Sequence, residues 1–509
     1  MKIIYLPLDE RPCNTVMVER IAATAREVTI QMPPRDILGR KKRAADIERL
    51  WEWVQQEVQN CDALILSIDM LMYGGLLPSR LHEFKEDMVP IMLNRLRELL
   101  TLNPELPVYA FSLIMRTPQY SSSDEEPDYY EHWGGEIFLR AFLEDKSNNE
   151  ELTDEELCEL KDIQQRLPSE HVTDYETRRR FNVAINMGLL DLVHEGILNC
   201  LVIPQDDSAI YGYTAIDQKA IYQKRAQLGL EDQVLIYPGA DEVGATLLAR
   251  AYNELSGYTT KIYPVWSSPL GPEIIPMYED RPFLESLNSH VLAAGCKLVE
   301  SPETADLILA YNTPGGEMQE SWEQSGKHHT YVNDRNMSGF VKQLKNHMNN
   351  GKKVIVADSA YANGGDFELI NLMDKKVLLD SVLSYKGWNT NCNTLGSTIS
   401  QGVLGLNGDP EKIQENVLYH VLDDYLYQAE IRMEMTADFL PSYDLSYFDL
   451  KDQADLVCRE RDQRLLQRLN SEILYSFENL KIEELKTWAP WNRMFECGLK
   501  LVVRFPELE

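Results

Sequence analysis

The chain has 509 residues, 44% apolar and 26% charged, a globular composition with room for about two to four domains. Its 50 Lys and Arg stand against 81 Asp and Glu, and the net charge of −31 argues against nucleic acid and anionic membrane as partners. No apolar stretch reaches the ~18 residues that span a bilayer. Eight scattered cysteines without a CxxC pair argue against a disulfide framework or structural zinc.

Met1 and Lys2 pass straight into the strand-like run IIYLPL, so no signal peptide is expected and a reducing cytoplasm fits best. That first strand ends at Asp9, Glu10 and Arg11 and is followed by a helix from about Thr15 to Arg26. VTIQM reads as a second strand. Ile47, Leu50, Trp51 and Val54 then recur at helical spacing in a helix from about Ala44 to Val58. ALILSI is a buried-type strand ending at Asp69, with Gly74 and Gly75 behind it. A helix over about 89–102 leads to VYAFSLI, which ends at Arg116.

The strand–helix rhythm breaks over 118–168. A polar, Tyr-rich loop and helical segments there predict a substructure inserted over the strand ends. CLVIP then ends at Gln205, Asp206 and Asp207, and VLIYPG ends at Asp241 and Glu242.

This alternation predicts an α/β fold. Its N-terminal domain, residues 1–255, would be a parallel (β/α) barrel-like or doubly wound sheet, with the barrel favoured and KIYPVW at 261–266 completing it. Residues 256–405 read as a second, smaller α/β domain, with strands in LILAYN, KVIVADSAY and VLLDSVLSY. Residues 406–509 read as a mainly helical tail that would pack on the body or form an oligomer interface, leaving a homo-oligomer open.

Carboxylates thus collect at one strand end after another, where α/β proteins bind ligands. Each group also has a plain structural reading. Asp9, Glu10 and Arg11 would contact a polyol or form a salt bridge that fixes their loop. Asp69 would bind substrate or cap a helix. Asp206 and Asp207 would form a catalytic carboxylate pair whose protonation states are split, unless Asp207 only caps the next helix. Asp241 and Glu242 precede a helix whose dipole favours acids in any case. In the second domain, Asp358 lies in the loop DSAYANGGD, and Trp388 and Asn389 lie in an amide-rich stretch suited to stacking and hydrogen bonding a sugar. Arg116 and Gln205 complete the expected substrate-binding set.

The chain has no GxxxxGK[ST], no GxGxxG after the first strand, no HExxH and no GxSxG. No cofactor is expected, although an all-oxygen Mg²⁺ or Ca²⁺ site built from Asp and Asn stays open. LPLDERPCN, DMLMYGG, QDDSAIYGYTAIDQ, PGADEVGATLLAR and GWNTNCNTLGS together resemble an uncharacterised bacterial family of about this length, known only as a domain of unknown function. The resemblance implies a bacterial cytoplasmic protein and transfers no catalytic residue.

The residues themselves point first to a glycoside hydrolase, or a related enzyme, acting on a small intracellular saccharide through Asp206 and Asp207. A divalent-metal hydrolase or lyase using the same carboxylates is the second reading. A non-catalytic sugar-binding protein is the third.

Overall fold

The apolar runs that end in acidic residues pair as parallel strands. The structure is a computed structural model and describes residues 1–206 and 209–505. The chain packs into two compact units. The first comprises Met1–Glu10, Ile30–Gly244 and Tyr278–Asp280. The second comprises Arg11–Thr29, Ala245–Met277 and the chain from Arg281. The boundary therefore falls inside the opening DER triplet, between Glu10 and Arg11.

The first sheet has six strands: β1 (Lys2–Leu6), β2 (Thr29–Gln31), β3 (Ala63–Ser67), β4 (Val108–Phe111), β5 (Cys200–Gln205) and β6 (Val234–Pro238), in the order β2-β1-β3-β4-β5-β6. The pairs β1–β3, β3–β4, β4–β5 and β5–β6 are all parallel. Strands β3 to β6 are buried at every residue, which explains their unbroken apolar sequences. Ile4, Leu64, Leu66, Val108 and Leu201 share one core with Leu50, Trp51 and Val54 of the helix Ile47–Glu57. Each of those three helix side chains contributes roughly 1.5–3 kcal/mol by leaving water. Asp46 starts that helix by accepting from the Arg49 amide.

No closed barrel occurs among the described residues, which corrects the favoured expectation. The short β2 takes the edge beside β1, and β6 forms the opposite edge, so the sheet stays open and doubly wound. Nor does KIYPVW extend it. As β7 (Lys261–Trp266), that run lies inside a second sheet with β8 (Lys297–Leu298) and β9 (Leu307–Asn312).

After the two-residue β10 (Gln319–Glu320), the second sheet continues in β11 (Lys353–Asp358). Beyond another two-residue strand, β12 (Tyr361–Ala362), it closes with β13 (Ser384–Lys386). Its order, β8-β7-β9-β11-β13, repeats that of the first five strands of the first sheet, and every pairing is parallel. VLLDSVLSY gives only the start of β13, because a 3-10 turn occupies Leu379–Ser381.

Between β4 and β5 stand the helices Tyr130–Asn149, Asp154–Arg166 and Ser169–His194. Thr153 and Glu156 form a reciprocal cap on the middle one. The C-terminal region carries the helices Pro410–His420 and Ala454–Glu472, a π-helical stretch at Val421–Ile431, and an antiparallel pair, β14 (Lys481–Trp488) with β15 (Gly498–Arg504). The β pair is absent from the expectation of a mainly helical tail.

Candidate functional site

In the first sheet the winding direction reverses between β1 and β3. Doubly wound sheets bind ligands outside the carboxyl ends of the strands flanking such a reversal. Asp69 sits there, two residues past the Ser67 cap that ends β3. Its helix, Ile68–Tyr73, stops at Gly74 with φ of 88°, a left-handed conformation where a Cβ would stand 2.7 Å from the Ala45 nitrogen. Asp69 is buried, accepts from the Leu113 amide at 3.0 Å and lies against Ser79. Burial lifts its carboxyl from the ordinary 3.8 to about 6, against the smaller opposing effects of those two contacts and Arg80.

Arg80 stands beside it, only 2% exposed. One nitrogen donates to Asp206 Oδ2 at 2.6 Å, and the other reaches Glu126 at 3.1 Å and Glu125 at 3.3 Å. Arg116, past the end of β4, grips the same two glutamates at 2.8 and 2.9 Å. Glu125 and Glu126 belong to the acidic loop SSSDEEPD at 121–128. Lys41 pairs with Asp124 in that loop, and Lys42 lies 3.7 Å from Asp128. The inserted loop is therefore fastened over the strand ends by cations from three other segments. Arg80, Arg116, Ser79, Asn182, Leu113 and Asp206 line a cleft below it.

A hydrogen-bonded chain supports the back of this cleft. His82 Nδ1 accepts from the Phe84 amide, so its Nε2 carries the proton donated to Asn182 Oδ1 at 2.8 Å. Asn182 in turn donates to the Ser79 carbonyl at 2.9 Å. Burial drives His82 down to about 4, keeping it neutral in this role.

The other expected residues of this unit stand as follows. Gln205 is buried at the end of β5, where its carbonyl accepts from Gly239. Glu10 accepts from the Lys41 amide at 2.8 Å, and Asp9 is buried. Glu242 folds back on its own turn and accepts from the Ala240 amide at 3.0 Å, as a turn-stabilising acid would, with Asp241 buried beside it in sequence. Asp207 lies outside the described residues.

The second unit gathers its own polar cluster. Asp358, at the end of β11, accepts from Asn312 at 2.8 Å, the Asp366 amide at 2.8 Å and the Tyr385 hydroxyl at 3.0 Å. Arg335 pairs with Asp366 at 2.8 Å. Burial, reinforced by the Asp366 charge, lifts Asp358 to about 7. Trp388 is buried, and Asn389, at φ of 61°, accepts from the Asn363 amide, so this turn pins the glycine loop. Asp424 accepts from the Gly387 amide at 2.8 Å and from His420, and burial lifts it also to about 7. Arg11 is 4.6 Å from the centre of the Trp491 ring and 3.3 Å from Glu496, an anchor within this unit.

A family model matches residues 3–500. The chain belongs to the family described as "Protein of unknown function (DUF4127)". The resemblance read from the sequence thus extends over nearly the whole chain. A comparison with curated proteins found no match.

Within this family member, sequence reasoning missed Ser79, Arg80, Glu125 and Glu126 in the first unit. It also missed Asn312, Arg335, Tyr385, His420 and Asp424 in the second. Arg80 follows no strand and so carried no signal. The pair Asp423-Asp424 inside the apolar run VLDDYLY was legible as a buried charge needing a partner. Among the described residues no three His, Cys, Asp or Glu side chains gather so as to hold a metal ion, and no helix is long and apolar enough to cross a membrane.

Proposed function

We propose that the protein hydrolyses a small glycoside at the strand-end cleft of the first unit, in the cytoplasm, with Asp69 as the acid and Asp206 as its anionic partner. One observation carries this reading. A single buried guanidinium, Arg80, binds Asp206 and acts electrostatically on Asp69, while burial keeps Asp69 titrating near 6. A buried acid with a raised pKa near a second carboxylate is a combination that glycoside hydrolysis uses.

Asp69 would deliver its proton to Ser79, a lining residue of the cleft, whose hydroxyl would pass its own proton to the leaving oxygen on turning from the Leu76 carbonyl, to which it donates at 2.7 Å. Asp206, held by Arg80, would stabilise positive charge on the sugar ring or activate water. Asn182 and His82 would fix Ser79.

The test is release of p-nitrophenol from a panel of aryl glycosides by wild type, Asp69→Asn and Asp206→Asn. Release lost by about 10²-fold or more in both variants is expected, the scale of a general acid–base contribution. Wild-type rates in either variant would remove that residue from the mechanism, and saccharide binding with no release would favour a binding protein.

A further inference from the structure

The cleft of the first unit is closed to anything larger than water. Between Leu76, Ser79, Arg80, Arg116, Asn182 and Asp206 it encloses about 10 Å³, which holds one water molecule and no sugar ring. A substrate enters only if part of the wall moves. Arg80 and Arg116 are the cationic part of that wall, and the loop 121–128 holds both. Glu126 accepts from Arg80 at 3.1 Å and from Arg116 at 2.8 Å, and Glu125 accepts from the same two at 3.3 and 2.9 Å. Neither glutamate lines the cleft, so each guanidinium touches the cleft on one side and the loop on another.

The composition of the loop decides how it can move. Of its residues, SSSDEEPD, only Pro127 is apolar. Ser121 accepts from the Gly135 amide at 3.1 Å and Ser123 donates to Glu131 at 2.8 Å, local links to the helix that follows. The Tyr130 hydroxyl pins the two ends together by donating to the Pro118 carbonyl at 2.9 Å. The ties to the rest of the unit come from cations: Lys41 to Asp124, Lys42 to the Ser123 carbonyl at 2.5 Å, and the two arginines. Lifting such a loop uncovers little apolar surface and lets water reach both members of every pair at once. It thus avoids the lone buried charge that removal of one partner leaves. Segments held in this way lie at the low-stability end of a fold, from which lids are drawn.

Resting on the cleft assigned above, we propose that residues 121–128 are a lid. Closed, its glutamates hold Arg80 and Arg116 in the cleft wall. Open, it frees both arginines and admits substrate. Because the clasp is ionic, salt favours opening.

The test is the rate at which N-ethylmaleimide modifies Ser79→Cys, a thiol placed in the cleft wall, followed by peptide mass spectrometry. Native Cys158 is exposed and native Cys200 is buried in β5, so they report the reagent's intrinsic rate and general unfolding. Relative to Cys158, the cleft thiol is expected to react severalfold faster at about 1 M than at about 0.01 M salt, as the screening length falls from about 30 Å to about 3 Å. Adding Glu125→Gln should raise the low-salt rate likewise, with Cys200 unreactive throughout. Should Ser79→Cys fail to fold, Met115→Cys, another lining position, carries the same test. A cleft thiol that reacts no faster with salt or with Glu125→Gln, or that reacts only in step with Cys200, overturns the lid. That result together with release of p-nitrophenol from a glycoside leaves the hydrolase reading standing without the lid. Salt-gated labelling with no release from any glycoside does the reverse.

Discussion

Arg80 Nη2 donates to Asp206 Oδ2 at 2.6 Å across 126 residues of sequence, and the two partners differ sharply in burial. The arginine side chain is 2% exposed and the aspartate side chain 17%. Losing Arg80 takes the guanidinium from Asp206 and leaves the enclosed Glu126 with Arg116 alone, whereas losing the aspartate charge leaves Arg80 two glutamates. Arg80→Leu is therefore expected to cost about 3–5 kcal/mol, because it leaves uncompensated buried charge. Asp206→Asn should cost clearly less. Urea unfolding of the two variants decides the point, and equal costs would show that Arg80 is not the hub of the cluster.

Asp69 makes stability depend on pH in an unusual direction. Its folded value, about 6, lies above the ordinary 3.8, so between these values the folded state holds the proton more firmly than the unfolded chain does. The associated stability is fully present below pH 3.8 and is lost as pH rises through 6. The difference corresponds to about 3 kcal/mol. Relative to Asp69→Asn, wild type should lose stability from pH 4 to pH 7 and then run parallel to it. Parallel curves across the whole range would mean that Asp69 titrates normally.

The clasp on the acidic loop divides into an inner and an outer part. Lys41 and Asp124 are 26% and 22% exposed, in contrast to the enclosed Arg80 and Glu126. Exposed pairs of this kind are worth about 0–1 kcal/mol and weaken with salt. Lys41→Ala should barely change global stability but speed proteolytic cutting within 121–128 at low salt. At 1 M salt, wild type and variant should be cut at similar rates. A variant as resistant as wild type at low salt would place the restraint wholly on Arg80 and Arg116.

The strands were legible because each buried parallel strand is a continuous apolar run, as in ALILSI and CLVIP. Open sheet versus barrel was not, because it turns on a three-residue edge strand, TIQ, and on which sheet receives KIYPVW. An apolar run reads the same in either sheet. Among site residues, Asp69, Arg116 and Asp206 follow strands, and the structure brings all three to one cluster around Arg80. Arg11 also follows a strand, yet its partner is Glu496, 485 residues away. Pairings at that distance leave no local trace. The same holds for Arg80 with Glu126, and it explains why the centre of the cluster went unseen while its edge was found.

Gly365 and Tyr385 offer the sharpest test of the second unit. A Cβ at Gly365 would stand 2.2 Å from the Tyr385 hydroxyl and 3.1 Å from Asp358 Oδ2, and all three residues are buried. Gly365→Ala must therefore displace the hydroxyl that donates to Asp358, and overpacking of this kind costs about 1–3 kcal/mol. Tyr385→Phe removes the obstructing oxygen but also a donor to a buried carboxylate, with a cost of about 1–3 kcal/mol of its own. Together the two changes relieve the clash, so the double variant should be more stable than the sum of the single costs allows. Urea unfolding of all four proteins measures that coupling. Strictly additive costs would mean that the NGGD loop and Tyr385 do not meet as described, and the arrangement of donors around Asp358 would fall with them.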